Sequence, residues 1–253
     1  GSASSPLAQA AERVVETAVP PLPDELQGLV VPGARSYVAS QLALYVTAIH
    51  LGQQRGRLTQ TTANKLRREL AGLAAQMEAT LAASDPVARQ IAQDWQDARE
   101  FVFCGTGPNY GTAVFSAAKI LEASGDAAVA QETEEWAHLQ FFAREAATPT
   151  FLISAGGRDT ERALEIATAT KAIGRRVALI APQDGDLAQS GERDALLPII
   201  GPVRECFSPL LTCLPGALFA AYRAQVIGES YFRAFGGGRS AEGGGGISRI
   251  RVE

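Results

Sequence analysis

"EFVFCGTGPNYGTAVFSAAKILEASGDAAVAQ", residues 100–131, decides the fold of this chain. Phe101 to Cys104 is an unbroken apolar run, and it ends in glycines at 105, 107 and 111. An Ala-rich stretch with helical periodicity follows, and then the short apolar segment "DAAVAQ" at 126–131. Apolar runs without polar alternation suit strands buried on both faces, as in a parallel sheet covered by helices. Outward from this unit the same grammar returns in "PTFLIS" (149–154) and "RRVALIA" (175–181), each followed by a polar or glycine loop and a helical pattern. With "ALLPII" at 195–200 the count reaches about five parallel strands in an α/β protein. Ligands of such sheets gather at the carboxyl ends of the strands, so the loops after Cys104 and Ser154 are the first places to look.

The region before residue 100 reads as mainly helical. Ser5 precedes "PLAQAAERVVE", a short helix with proline in its first turn. "TAVPPLPDELQGLVVPG" is too rich in proline for a regular element and reads as a connector. Helices are predicted near 36–55, 59–83 and from 86 to about 97, with Leu66, Leu70, Leu73, Met77 and Leu81 forming one apolar stripe. That stripe serves either a structural helix pair or a dimer seam. At the other end, seven of the eleven residues from 236 to 246 are glycine, and Ser248-Arg249-Ile250-Arg251 follows. This tail is either a loose end or a lid that brings Arg249 over a ligand.

Composition narrows the class. The 253 residues carry a net charge of −4, which argues against a nucleic-acid backbone binder. Any anionic ligand must be held by local loops or a few cations. Three cysteines and two histidines lack metal-ligand spacing, so no metal and no organic cofactor is expected. The cysteine usage predicts a cytoplasmic protein. No run is long and apolar enough for a membrane span; the most apolar stretch, 209–227, is interrupted by Pro215, Gly216 and Arg223.

Two loops and one helix carry the candidate chemistry. In "CGTGPNYGTA" (104–113) Gly105 and Gly107 permit a tight turn, while Thr106, Tyr110 and Thr112 place hydroxyls beside amides at a helix start. The dinucleotide fingerprint is incomplete, since Tyr110 stands where the third glycine belongs, so the loop reads as a small-anion or sugar loop. "SAGGRDTERALE" (154–165) repeats the arrangement, with Ser154 and Thr160 as candidate ligands and Asp159 or Thr160 alternatively a simple helix cap. Lys119 and Glu122 stand three apart on one helical face, and Glu135 and His138 stand three apart again. A carboxylate beside an ammonium can take a proton from carbon, and an imidazole oriented by a carboxylate can give and take one near neutral pH. Taken singly, the same residues read equally as a surface ion pair and a packed histidine.

Over residues 104–142, "CGTGPNYGTAVFSAAKILEASGDAAVAQETEEWAHLQFF", the chain resembles the second module of the double sugar-isomerase (SIS) domain phosphosugar isomerases. That family includes the isomerase half of glucosamine-6-phosphate synthase and the fructosamine-6-phosphate deglycases. Its pattern of glycine-rich loop, K-x-x-E, short strand and E-x-x-H is matched by Lys119, Glu122, Glu135 and His138. The resemblance implies a three-layer αβα sandwich preceded by a mainly helical N-terminal segment. It divides the chain into a remnant of a first module (1–34), a helical linker region (35–98), a second SIS domain (99–230) and a glycine-rich tail (231–253). It implies that the counterpart of Glu122 moves a proton between C1 and C2 with Lys119 assisting, and that Glu135 holds His138. It implies also that His138 opens the sugar ring in a neighbouring subunit's site, and hence a homodimer with a shared active site.

The chain departs from the family in two ways. The family places most phosphate ligands in the first module, and its histidine is followed by glycine and proline, where this chain has Leu139-Gln140. The expected activity is isomerisation or deglycation of a 6-phosphorylated amino sugar or fructosamine, with a sugar-phosphate sensor as the alternative.

Overall fold

Every strand of the sheet sends successive side chains to opposite faces, and that geometry sorts the core into two halves. In a computed structural model of the protein, residues 5–17, 19–21, 23–24, 33–144 and 147–229 are described. The strands are β1 (Glu100–Gly105), β2 (Ala127–Gln131), β3 (Thr150–Ile153), β4 (Val177–Pro182) and β5 (Ala195–Ile199), all parallel, in the order β2-β1-β3-β4-β5. Phe101, Phe103, Phe151, Ile153 and Ile180 face one side, and Val102, Cys104, Leu152, Leu179 and Ala181 face the other, the two-residue period of a strand. Helices α2 (Ala34–Gln54), α3 (Gln60–Asp94), α4 (Pro108–Ala123) and α8 (Pro209–Val226) cover the first face. Helices α5 (Thr133–His138), α6 (Thr160–Ala172) and α7 (Asp186–Gln189) cover the second. The result is the three-layer αβα sandwich, with β2 as an edge strand.

Helix α1 (Pro6–Ala10) is capped by Ser5, whose Oγ accepts from the Ala8 amide at 3.2 Å, but it is shorter than its sequence pattern. The region 35–98 enters the same core as the sheet, since α3 contributes Leu70, Leu73, Ala88 and Ile91 beside Phe101 and Phe151. The predicted break at Pro86 does not occur: α3 runs through it for 35 residues. An internal proline costs about 3 kcal/mol through a lost hydrogen bond and a steric clash. Here tertiary contacts offset it. Thr80 Oγ1 accepts from the Ile200 amide at 3.0 Å, Ser84 Oγ donates to the Pro198 carbonyl at 2.9 Å, and Tyr222 Oη donates to Asp85 at 2.5 Å. The helix is thereby stapled to β5 and α8 just ahead of the proline, and Ala88, Ile91 and Ala92 are buried after it.

Arg223 of α8 is fully buried, yet its charge is well met. Its Nε donates to Asp126 at 2.7 Å, and its terminal nitrogens donate to the carbonyls of Trp95, Gln96 and Ala98. A buried guanidinium needs all of these partners, because desolvating it alone costs several kcal/mol. The network fixes the turn between α4 and β2.

Candidate active site

The strand order makes the chain reverse direction between β1 and β3, the switch point where open parallel sheets bind ligands. The two loops singled out in the sequence meet there. Gly105 passes so close to the next turn that an added Cβ would lie 2.3 Å from the Asn109 carbonyl oxygen. Gly107, at φ +57°, starts α4 without a capping side chain. Across the switch point Ser154 Oγ donates to Asp159 at 3.0 Å and accepts from the Gly156 amide. Asp159 occupies the cap position of α6 but makes no side-chain cap bond; it serves Ser154 instead. Arg158 makes a bidentate pair with Glu205 at 2.8 and 3.1 Å, and Glu205 borders Gly107, so this pair spans the two loops. The Arg158 guanidinium holds the Glu205 carboxyl below the usual range.

A cleft of about 480 Å³ opens beside these loops, lined by Gly156, Thr160, Gln183, Asp184 and Asp186 among others. Its lining holds two carboxylates and no cation, a field better suited to hydroxyl or amino groups than to phosphate. Thr106 is half-buried and Tyr110 is exposed at the start of α4. Behind them lies a buried group of which sequence reading singled out only Thr112, as a ligand hydroxyl; its side chain is instead fully buried against Thr212. Asn109 Oδ1 accepts from Thr212 at 2.8 Å and from Ser208 at 3.2 Å, and Thr112 meets Thr212 at 3.2 Å, all fully buried between α4 and α8. Four small polar residues a hundred positions apart carry no local pattern, so only the packing reveals them.

Lys119 and Glu122 lie at the opposite end of α4. Fifteen residues separate Gly107 from Glu122, about 22 Å along the helix at 1.5 Å per residue. The glycine-rich loop and Glu122 of one chain therefore do not share a cavity. Lys119 is buried and forms an ion pair with Glu122, whose side chain remains 35% exposed. Its Nζ lies 5.2 Å from the centre of the Phe115 ring and 3.7 Å from the position of a Cβ on Gly33, just before α2. A cation held under a partly open carboxylate is the part of the expected acid/base arrangement that this chain assembles by itself.

His138 closes α5 on the other face of the sheet. Its Nε2 stands 3.3 Å from Glu134, four residues back, and not against Glu135, three back. In a helix so short the i, i+4 neighbour lies more nearly beneath the imidazole, and Glu134 is also fixed from outside by Arg162 at 2.5 and 3.0 Å. The guanidinium, with His138 adding to it, holds the Glu134 carboxyl below the usual range. Glu135 is exposed, and no hydrogen bond or ion pair joins it to His138 among the described residues. Arg249 lies outside the described residues. No group of three or more metal-ligating side chains occurs among the described residues.

No protein-family model matches the chain. It is 29% identical over 194 residues to a glutamine–fructose-6-phosphate aminotransferase (isomerizing) of Gloeobacter violaceus, which covers 77% of this chain and 32% of that protein. The chain thus spans about a third of the length of the curated relatives it matches. Among solved structures it superposes with a TM-score of 0.69 and 19% identity on the C-terminal domain of glucosamine–fructose-6-phosphate aminotransferase from Francisella tularensis, covering 78% of this chain and 55% of that one. A Salmonella typhimurium protein assigned as a phosphosugar isomerase gives 0.68 and 19%, covering 90% and 65%. By sequence the chain is similar to one part of the isomerizing aminotransferases, and it shares its fold with the aminotransferase domain and with the phosphosugar isomerase just described.

Proposed function

We propose that the chain processes a phosphorylated sugar, as an aldose–ketose isomerase or as a deglycase of a fructosamine 6-phosphate. Glu122 is the base: it takes the proton from C2 of the aldose or C1 of the ketose, gives an enediol or enamine, and returns the proton to the neighbouring carbon. Lys119 supplies the positive field beneath it, and His138 with Glu134 opens the ring. Proton transfers alone complete the isomerisation; in deglycation the enaminol reprotonates at C2 to a C1 imine, water adds to that carbon, and the C–N bond breaks to release the amine and the aldose phosphate. The observation that carries the reading is the Lys119–Glu122 pair, a buried cation under an accessible carboxylate, on the helix that leaves the glycine-rich loop. A purely structural ion pair gains little from such partial exposure.

One chain separates the parts that one sugar would need. Glu122 is on the α3/α8 face, His138 on the α6 face, and the switch-point loops lie the length of α4 away. The reading therefore includes a second copy that brings His138, or the loops with Gly105, Thr106, Gly107, Tyr110, Ser154 and Thr160, to the Glu122 of the first. An apolar groove of about 640 Å³, lined by Val38, Leu42, Met77, Leu81, Leu214 and Leu218, supports this. It begins at Ala34 and Arg35, next to Gly33 and Lys119.

The test is incubation with fructose 6-phosphate, glucosamine 6-phosphate and a fructosamine 6-phosphate, alongside thermal shift with each. Turnover that Glu122→Gln abolishes is the expected result. Ligand-induced stabilisation without turnover would instead assign a sugar-phosphate sensor.

A further inference from the structure

The segment that carries His138 is held by a buried residue far away in sequence. Helix α5 has six residues, too few to persist on their own propensity. Two things fix it. Trp136, fully buried, inserts into the core against Val102, Leu152 and Ile166. Arg175, in the turn between α6 and β4, is only 2% exposed and reaches back across this face. Its Nη1 donates to Gln140 Oε1 at 3.0 Å and its Nη2 to the Gln140 carbonyl at 3.2 Å, while the guanidinium carbon lies 5.9 Å from the Trp136 ring centre. One planar cation thus grips the residue two after His138 and lies against the residue two before it. Arg162 holds Glu134, the imidazole's own contact, from the same side.

We propose that Arg175 is the positioning residue of His138: its fork on Gln140 and its cation–π contact with Trp136 set the direction of the imidazole. The inference rests on His138 handling protons, as in the function proposed above, but its geometry does not depend on the substrate. Lysine cannot replace the fork, because it is a point charge with no fixed pair of donors.

The test uses the two histidines of the chain. His50 is exposed on α2, on the far side of the sheet, and serves as an internal reference. Ring nitrogen spectra of the native protein, Arg175→Met, Arg175→Lys and Gln140→Ala are recorded, with Arg176→Ala as control, since Arg176 pairs with Asp97 elsewhere. The charged groups around the imidazole, Glu134 and Arg162, are unchanged in all four. The expected result is that His138 signals broaden or move toward free imidazole in the Arg175 and Gln140 variants, while His50 stays in place and the Arg176 variant matches the native protein. Where a phosphosugar is turned over, kcat falls on the order of 10- to 100-fold with KM little changed, the cost of a misdirected group. Should the Arg175 variants not fold, Gln140→Ala alone decides, since it removes one contact and leaves the cation in place. Unmoved His138 signals in folded variants would overturn the inference and leave the phosphosugar reading intact. Displaced signals in a protein that turns over no phosphosugar would sustain it and remove the functional reading alone.

Discussion

The two ends of α4 are built on opposite principles. At its start, glycines bring backbone close to backbone, and the hydroxyls of Ser208 and Thr212 donate to Asn109, with Thr112 against Thr212, in a buried, uncharged network. At its end, charge dominates: Lys119 meets Glu122, and four residues further on Asp126 meets the buried Arg223. The first end is made for close approach and uncharged contact. The second holds an ion pair rigidly while leaving one carboxylate oxygen-bearing face open to solvent.

Substitutions at each end sharpen this contrast. The largest stability effect is expected for Arg223→Met, which leaves Asp126 and three carbonyls without their donor; a loss of about 3–5 kcal/mol in denaturant unfolding is the expected cost of breaking a buried pair. Glu122→Gln keeps a hydrogen-bond acceptor for the buried Lys119 but removes its counter-charge, so it should cost less stability than Arg223→Met while lowering kcat by about 100-fold or more, the ordinary worth of a general base. At the opposite end Thr212→Val removes one of the two donors to Asn109 and should cost about 1–2 kcal/mol without the same loss of turnover. Equal kinetic effects from Thr212→Val and Glu122→Gln would erase the distinction between the ends.

Smaller effects follow from α2, which borders the Lys119 end. Burial pushes the phenols of Tyr37 and Tyr45 up to about 12. A raised folded value means the stability is present below about pH 10, where the unfolded phenols are also neutral, and is lost as pH rises through 12. Alkaline unfolding of the native protein should therefore set in earlier than that of Tyr37→Phe/Tyr45→Phe. The thiols give the smallest signal: burial pushes Cys104 far up and Cys213 to about 12, so only the exposed Cys206 should react promptly with a disulfide reagent.

The sheet was legible because each of its strands announces itself locally. Phe101–Cys104 and Val177–Ala181 are apolar without interruption, and glycine or polar loops end them. Helix α3 was less so, because what carries it past Pro86 is Thr80 and Ser84 bonding to β5, more than a hundred residues away. The site was half legible. Lys119 and Glu122 pair as their spacing predicts. His138 meets Glu134 and not Glu135, and Glu134 is the carboxylate that Arg162, on another helix and 28 residues away, also holds. The distance between Gly107 and Glu122 was implicit in the helix between them, since fifteen residues of helix cannot bend two ends onto one hexose.

The most direct measurement is solvent deuterium exchange into C1 of fructose 6-phosphate and C2 of glucosamine 6-phosphate, followed by proton magnetic resonance with the native protein and Glu122→Gln. Label entering the sugar with the native protein and absent with Glu122→Gln is the predicted result. Equal labelling by both proteins, or none by the native one, would contradict the assignment of Glu122 as the carbon base.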